Sequence, residues 1–119
     1  MNSQARILLI DRATDRKQRI NALKGRGYAV FPALSMEEAR SRCMRGGYDL
    51  IVVNANGSSE EATQFCDEIR RQCPRQQVIL CTDGTCERDY AIASDVETVV
   101  KAVESTLNGG QPADLASAA

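Results

Sequence analysis

Tryptophan and histidine are both missing from this 119-residue chain, which has only two Phe and three Tyr. Without His there is nothing to complete a mixed Cys/His zinc site, and no two cysteines stand at Cys-x-x-Cys spacing. With so few aromatics, the core has to be built from Ile, Leu, Val, Ala, Cys and Met. The longest apolar runs are about four residues, against the roughly 20 needed to cross a bilayer. No membrane association is expected. Neither sign of charge dominates: 15 Lys and Arg oppose 16 Asp and Glu, for a net charge of -1. Nucleic acid is therefore not expected as a partner, because phosphate contacts need clustered cations. The basic residues are instead interleaved with acids along the expected helices. No glycine-rich turn follows the first apolar run, so a dinucleotide fingerprint is also missing. The first residues carry no charged-then-apolar leader, and a cytoplasmic location is the expectation.

What remains is an ordinary globular composition, 43% apolar and 26% charged, of a length that suits one domain. Residues 1–108 are read as that domain and 109–119 as a flexible tail or linker stub. The five cysteines are an odd number with no secretory signal, so reduced thiols are expected. Cys43, Cys66, Cys73 and Cys81 read as small core residues, whereas Cys86 falls in a loop.

Residues 5–10 form a near-continuous apolar run of strand length, as in a strand covered on both faces. A helix is expected over 13–26, with Ala13, Ile20 and Leu23 on one side and Gly27 stopping it in a left-handed cap. A second strand spans 28–31. Ser35 and Glu38 form a capping box for a helix that carries Met36, Ala39 and Cys43 inward and ends at Gly46 and Gly47. The third strand is 49–53. A second capping box, Ser58 with Glu61, opens a helix with Ala62, Phe65, Cys66, Ile69 and Cys73 on one stripe, closed by Pro74. The fourth strand is 77–82 and a short fifth is 90–93. Ser94 and Glu97 make a third box before a helix striped by Val96, Val99, Val100, Val103 and Leu107. Burying each of those five contributes roughly 1.5–3 kcal/mol before entropy costs.

Strand alternating with helix predicts a doubly wound α/β domain with a parallel sheet. Ligands of such sheets bind beyond the carboxyl ends of the strands, here near Asp11, Asn54 and Thr82.

With Asp11 after the first strand, Asn54 after the third and Thr82 after the fourth, residues 5–107 resemble a response-regulator receiver domain. The resemblance implies a flavodoxin-like five-stranded sheet of order 2-1-3-4-5. It also implies a site in which two acidic residues and a phosphoacceptor aspartate hold Mg²⁺, with a Thr or Ser and a Lys contacting the phosphoryl group. Here Asp11 takes the first acidic position, but Arg12 stands at the second. Asn54 takes the acceptor position, and an amide cannot become an acyl phosphate. Thr82 matches the switch hydroxyl and Tyr90 the fifth-strand aromatic, while Ala93 stands at the lysine position. The pattern is that of a degenerate member, a pseudo-receiver, with no catalytic residue, metal or cofactor.

The residues themselves leave alternatives open. Asp11 reads equally as a turn carboxylate. Arg12 reads as a surface arginine or as an internal tether to Asp11 or Asn54, and Thr82 as a last strand residue. Six residues, 83–88, separate Thr82 from Asp89, and a helical crossover takes a dozen or more. The family's fourth helix is therefore expected to be shortened or absent, exposing part of one sheet face. The function expected is phosphorylation-independent binding of a signalling protein, or self-association. The surface implied is Glu87, Arg88, Tyr90 and Lys101. The competing reading is a Cys-dependent enzyme on the same sheet, because Cys81 and Arg88 approach a phosphatase-like Cys-x5-Arg spacing with one residue too many.

Overall fold

The computed structural model describes residues 4–55, 59–82 and 91–108. The unbroken apolar runs become β1 (Arg6–Ile10), β3 (Leu50–Asn54) and β4 (Val78–Thr82), of which β3 and β4 are buried along their whole length. β2 (Ala29–Ala33) and the two-residue β5 (Ile92–Ala93) take the edges. All pairings are parallel, in the order β2-β1-β3-β4-β5, as expected. β2 runs further than 28–31 and includes Pro32, which an edge strand tolerates because its outer N–H is not needed by the ladder.

Side chains alternate across the strands, which splits the core into two layers. Leu8, Ile10, Ile51, Val53 and Leu80 pack with α2 (Met36–Arg45) and α3 (Ser59–Gln72), through Met36, Ala39, Cys43, Ala62, Phe65, Cys66 and Ile69. Ile7, Leu9, Val52, Ile79 and Cys81 face α1 (Arg16–Gly25) and α4 (Val96–Leu107), through Leu23, Val99, Val100 and Val103. Cys43, Cys66 and Cys81 are buried as expected, and Cys73 is half-buried.

Most helix ends follow the sequence signals. Tyr28 N–H donates to Leu23 O and Gly27 N–H to Lys24 O, with Gly27 at φ 93, the doubly bonded left-handed ending of α1. Ser35 Oγ accepts from Glu38 N at 3.0 Å, and Glu38 Oε1 reaches back to Leu34 N at 3.1 Å. The second box lies partly outside the described residues, which exclude Ser58.

Two expectations are corrected. α1 begins at Arg16, not Ala13, because Asp11 Oδ1 captures the Ala13 N–H at 3.0 Å and holds a side-chain turn there. The cap of α4 is Asp95, not Ser94: Asp95 Oδ2 accepts from Thr98 N at 3.0 Å and Thr98 Oγ1 at 2.9 Å. Ser94 instead donates its N–H to Thr82 O at 3.0 Å, which ties it to β4. The described residues contain four helices, α4 following β5. The short connection expected at 83–88, with Cys86, lies outside the described residues, as does the tail from 109. No helix among the described residues is long and apolar enough to cross a membrane.

The two readings of the α4 cap separate in a denaturation experiment. Asp95→Ala should cost about 1 kcal/mol in urea unfolding, while Ser94→Ala should stay within about 0.5 kcal/mol. A larger loss from Ser94→Ala than from Asp95→Ala would return the cap to Ser94.

Candidate functional site

β1, β3 and β4 run parallel, so they deliver Asp11, Asn54 and Thr82 to the same edge of the sheet. Asp11 and Asn54 meet: Asn54 Nδ2 donates to Asp11 Oδ1 at 3.1 Å. An ionised carboxylate only accepts, so the amide must turn its NH₂ toward Asp11. Asn54 is the last residue of β3, one position beyond the expected strand end at Val53, and only 6% exposed. Its Oδ1 is buried with no hydrogen-bond partner among the described residues. Thr82 is buried on the next strand, one residue beyond Cys81, the register partner of Asn54. Ala93 faces Thr82 in the β4–β5 register and is exposed, so a methyl group stands there and brings no cation.

Arg12 is on the surface. Its Nη2 lies 3.4 Å from Glu61 Oε1 on α3, with the Arg12 side chain 47% exposed. The surface reading fits, and an exposed pair of this kind contributes little to stability.

The cation that does enter the site is Arg19, which the sequence reading passed over. Its side chain is 1% exposed. Arg19 Nε donates to Asp11 Oδ2 at 2.6 Å and Nη2 to Asp11 Oδ1 at 3.3 Å. Nη2 also donates to Asp15 Oδ1 at 2.6 Å, and Nη1 to Asp15 Oδ2 at 3.1 Å and Ser94 O at 3.0 Å. A guanidinium has five N–H donors, and every one is used. Burial alone would pull Arg19 down, but the bonds to Asp11 and Asp15 more than reverse this, and the group is raised above its ordinary range. The bond from Arg19 in turn holds Asp15 below its ordinary value, against a smaller opposing effect of desolvation. A signal was present: Asp11, Asp15, Arg19 and Leu23 follow one another at intervals of four, which puts a charge on the stripe that Leu23 buries.

Asp11 therefore accepts four N–H bonds, from Ala13, Asn54 and twice from Arg19. Mg²⁺ asks for octahedral oxygen ligands, usually with one or two free carboxylates. The described residues do not fit it, because their one buried carboxylate is already neutralised and the side chains bonded to it are an amide and a guanidinium. No group of three or more His, Cys, Asp or Glu gathers among the described residues.

The thiol reading fails on geometry. Cys81 is fully buried, its Sγ donates to Val53 O at 3.4 Å, and burial pushes the thiol up to about 12, with the Asp11 charge adding to the effect. A nucleophilic cysteine needs an accessible thiolate. An open cleft of about 730 Å³ lies at the other end of the sheet, bordered by Tyr48, Asp49, Cys73 and Arg75, and includes none of the expected site residues. Of the expected interaction surface, Lys101 is exposed on α4, 3.8 Å from Glu97. Glu87, Arg88 and Tyr90 lie outside the described residues.

No protein-family model matches the sequence. No curated protein matches it. Solved structures do. A response regulator from Thermotoga maritima superposes with a TM-score of 0.75 at 18% identity, covering 90% of this chain and 100% of that one. An orphan response regulator of H. pylori gives 0.72 at 19% identity, covering 87% and 96%. The response regulator TrrA, in a complex with the histidine kinase ThkA, gives 0.60 at 26% identity over 71% and 74%. At these identities the likeness establishes the fold, a CheY-like flavodoxin fold of strand order 2-1-3-4-5.

The Asp15–Arg19 contact has a pH signature. The folded value of Asp15 lies below the ordinary 3.8, so its contribution is present above that pH and is lost as pH falls through the depressed value. The stability gap between wild type and Asp15→Asn should thus be constant from neutrality to about pH 4 and narrow below it. The gap is small, since the Asp15 side chain is half exposed and solvent screens it. A gap that widens in acid would mean that Asp15 does not hold Arg19 as a carboxylate.

Proposed function

We propose that this chain is a receiver-like signalling module that works by binding another protein and does not accept a phosphoryl group. One observation carries the reading: Asn54 ends β3 with its amide bonded to Asp11, at the position where the receiver resemblance puts the acceptor. An amide supplies no nucleophilic oxygen for an acyl phosphate. Ala93 beside Thr82 offers no cation for phosphoryl oxygens, and Arg12 turns out to Glu61.

The partner is a protein of a signalling pathway or a second copy of the chain, and neither nucleic acid nor a membrane is part of this reading. TrrA, of similar fold, forms a complex with a histidine kinase, which is a precedent for a protein partner on such a scaffold. The site of action is the cytoplasm, the binding unit is residues 1–108, and 109–119 serves as a flexible tail or a linker stub. Without a phosphorylation step the surface has to be preformed, so binding is constitutive and depends on shape and burial. The surface proposed is Glu87, Arg88 and Tyr90 with Lys101 on α4.

Two experiments test this. Acetyl phosphate or beryllofluoride with Mg²⁺ should leave the mass and amide spectrum of the wild type unchanged, and Asn54→Asp should also remain unphosphorylated, since Arg19 still occupies Asp11. Phosphorylation of the wild type would sink the reading, and phosphorylation of Asn54→Asp would show that Asn54 alone withholds the chemistry.

The surface is tested by charge reversal at Glu87, Arg88 and Lys101. These changes should weaken partner binding or self-association while keeping unfolding free energy within about 0.5 kcal/mol. If they leave association intact and changes on exposed α1 positions such as Lys17 abolish it, the surface lies on the other side of the domain.

A further inference from the structure

We propose that Arg19 is the resident cation of the Asp11 site: it takes the position that a divalent ion would need, and it ties that site to the β5–α4 junction. The starting point is its complete satisfaction. Taking a guanidinium out of water is costly and is offset only when its donors and charge are matched. Here the matching groups come from three separate places: Asp11 beyond β1, Asp15 at the start of α1, and the Ser94 carbonyl between β5 and α4. No local turn or helix requires such a combination. It sets the distance between the ends of β1 and β5 with one rigid planar group.

Two consequences follow. The first concerns metal. Asp11, Asp15 and the Ser94 carbonyl are oxygen donors around a single cation. They are the kinds of ligand a hard divalent ion takes, with water completing the shell. In the wild type the guanidinium fills that role. The second concerns the junction. Ser94 is held through both of its backbone polar groups, since its N–H donates to Thr82 O and its carbonyl accepts from Arg19. Asp95 then caps α4. The placement of α4, including Lys101, is therefore linked to Arg19 through one backbone residue. The position of the β5–α4 edge is set by the chain itself, with no added ion or phosphate.

The test uses the full chain with Mn²⁺ as probe and amide spectra as readout. Wild type should show no selective paramagnetic broadening at Asp11, Ala13 or Asn54 at millimolar Mn²⁺. Arg19→Gln should gain such broadening with an affinity at least about tenfold higher, and hydrogen exchange at the Ser94 amide should rise by about tenfold while amides of the β1–β2 ladder stay protected. Arg19→Lys keeps the charge with fewer donors. It should still exclude Mn²⁺ but loosen Ser94, and it decides the matter if Arg19→Gln fails to fold. Selective Mn²⁺ binding by the wild type overturns the proposal, as does an Arg19→Lys protein whose Ser94 amide is as protected as the wild type's. Neither result bears on the inertness of the wild type to phosphodonors, which rests on Asn54, so the two readings fail separately.

Discussion

The buried contact between Arg19 and Asp11 organises the carboxyl end of the sheet in this domain. Asp11 leaves β1 with its carboxylate turned inward, and that carboxylate does three things at once. It turns the chain by capturing the Ala13 amide, which delays α1 to Arg16. It accepts the Asn54 amide from β3, and it receives the guanidinium of Arg19. A buried carboxylate without such partners would be very costly. With four N–H donors it becomes a fixed joint between two strands and a helix. Arg19 extends the joint to Ser94, and the cap of α4 moves to Asp95 in consequence, because Ser94 is already engaged through its backbone.

The same arrangement limits the chemistry open to the described residues at the carboxyl edge of the sheet. A switch built on this scaffold needs a free nucleophilic oxygen and a metal to neutralise developing charge. Asn54 offers an amide, Ala93 a methyl group, and Asp11 a carboxylate whose charge is balanced from within. Cys81, on a central strand near the edge, is fully buried with a thiol raised by burial. Such an edge supports the proposed role in recognition by another protein.

The opposite end of the sheet has its own organising group. Arg6 stacks with its guanidinium carbon 4.9 Å from the Phe31 ring and 5.3 Å from the Tyr48 ring, and the two rings meet edge to face at 5.7 Å. Gly47, at φ 93, sits so close that an added Cβ would lie 3.0 Å from Arg6 Nη1. Two of the chain's few aromatics are thus committed to holding the β1, β2 and β3 ends together, through a cation–π contact.

Much of the fold could be read in the sequence because its causes are local. Unbroken apolar runs specified β1, β3 and β4. Stripes at helical spacing specified the inner faces of α2, α3 and α4, and Ser35 with Glu38 and Gly27 specified helix ends. The neutral residue at position 54 was legible for the same reason, since a missing carboxylate needs no coordinates to be seen. The choice between the two readings of Asp11 and of Arg12 was not legible, and neither was the burial of Arg19. Whether a charged side chain is buried depends on what packs over it and on whether distant groups supply its hydrogen bonds, here Ser94, 75 residues away. The same holds for the α4 cap: Ser94 and Asp95 are both good capping residues, and Thr82 and Arg19, remote in sequence, decide between them.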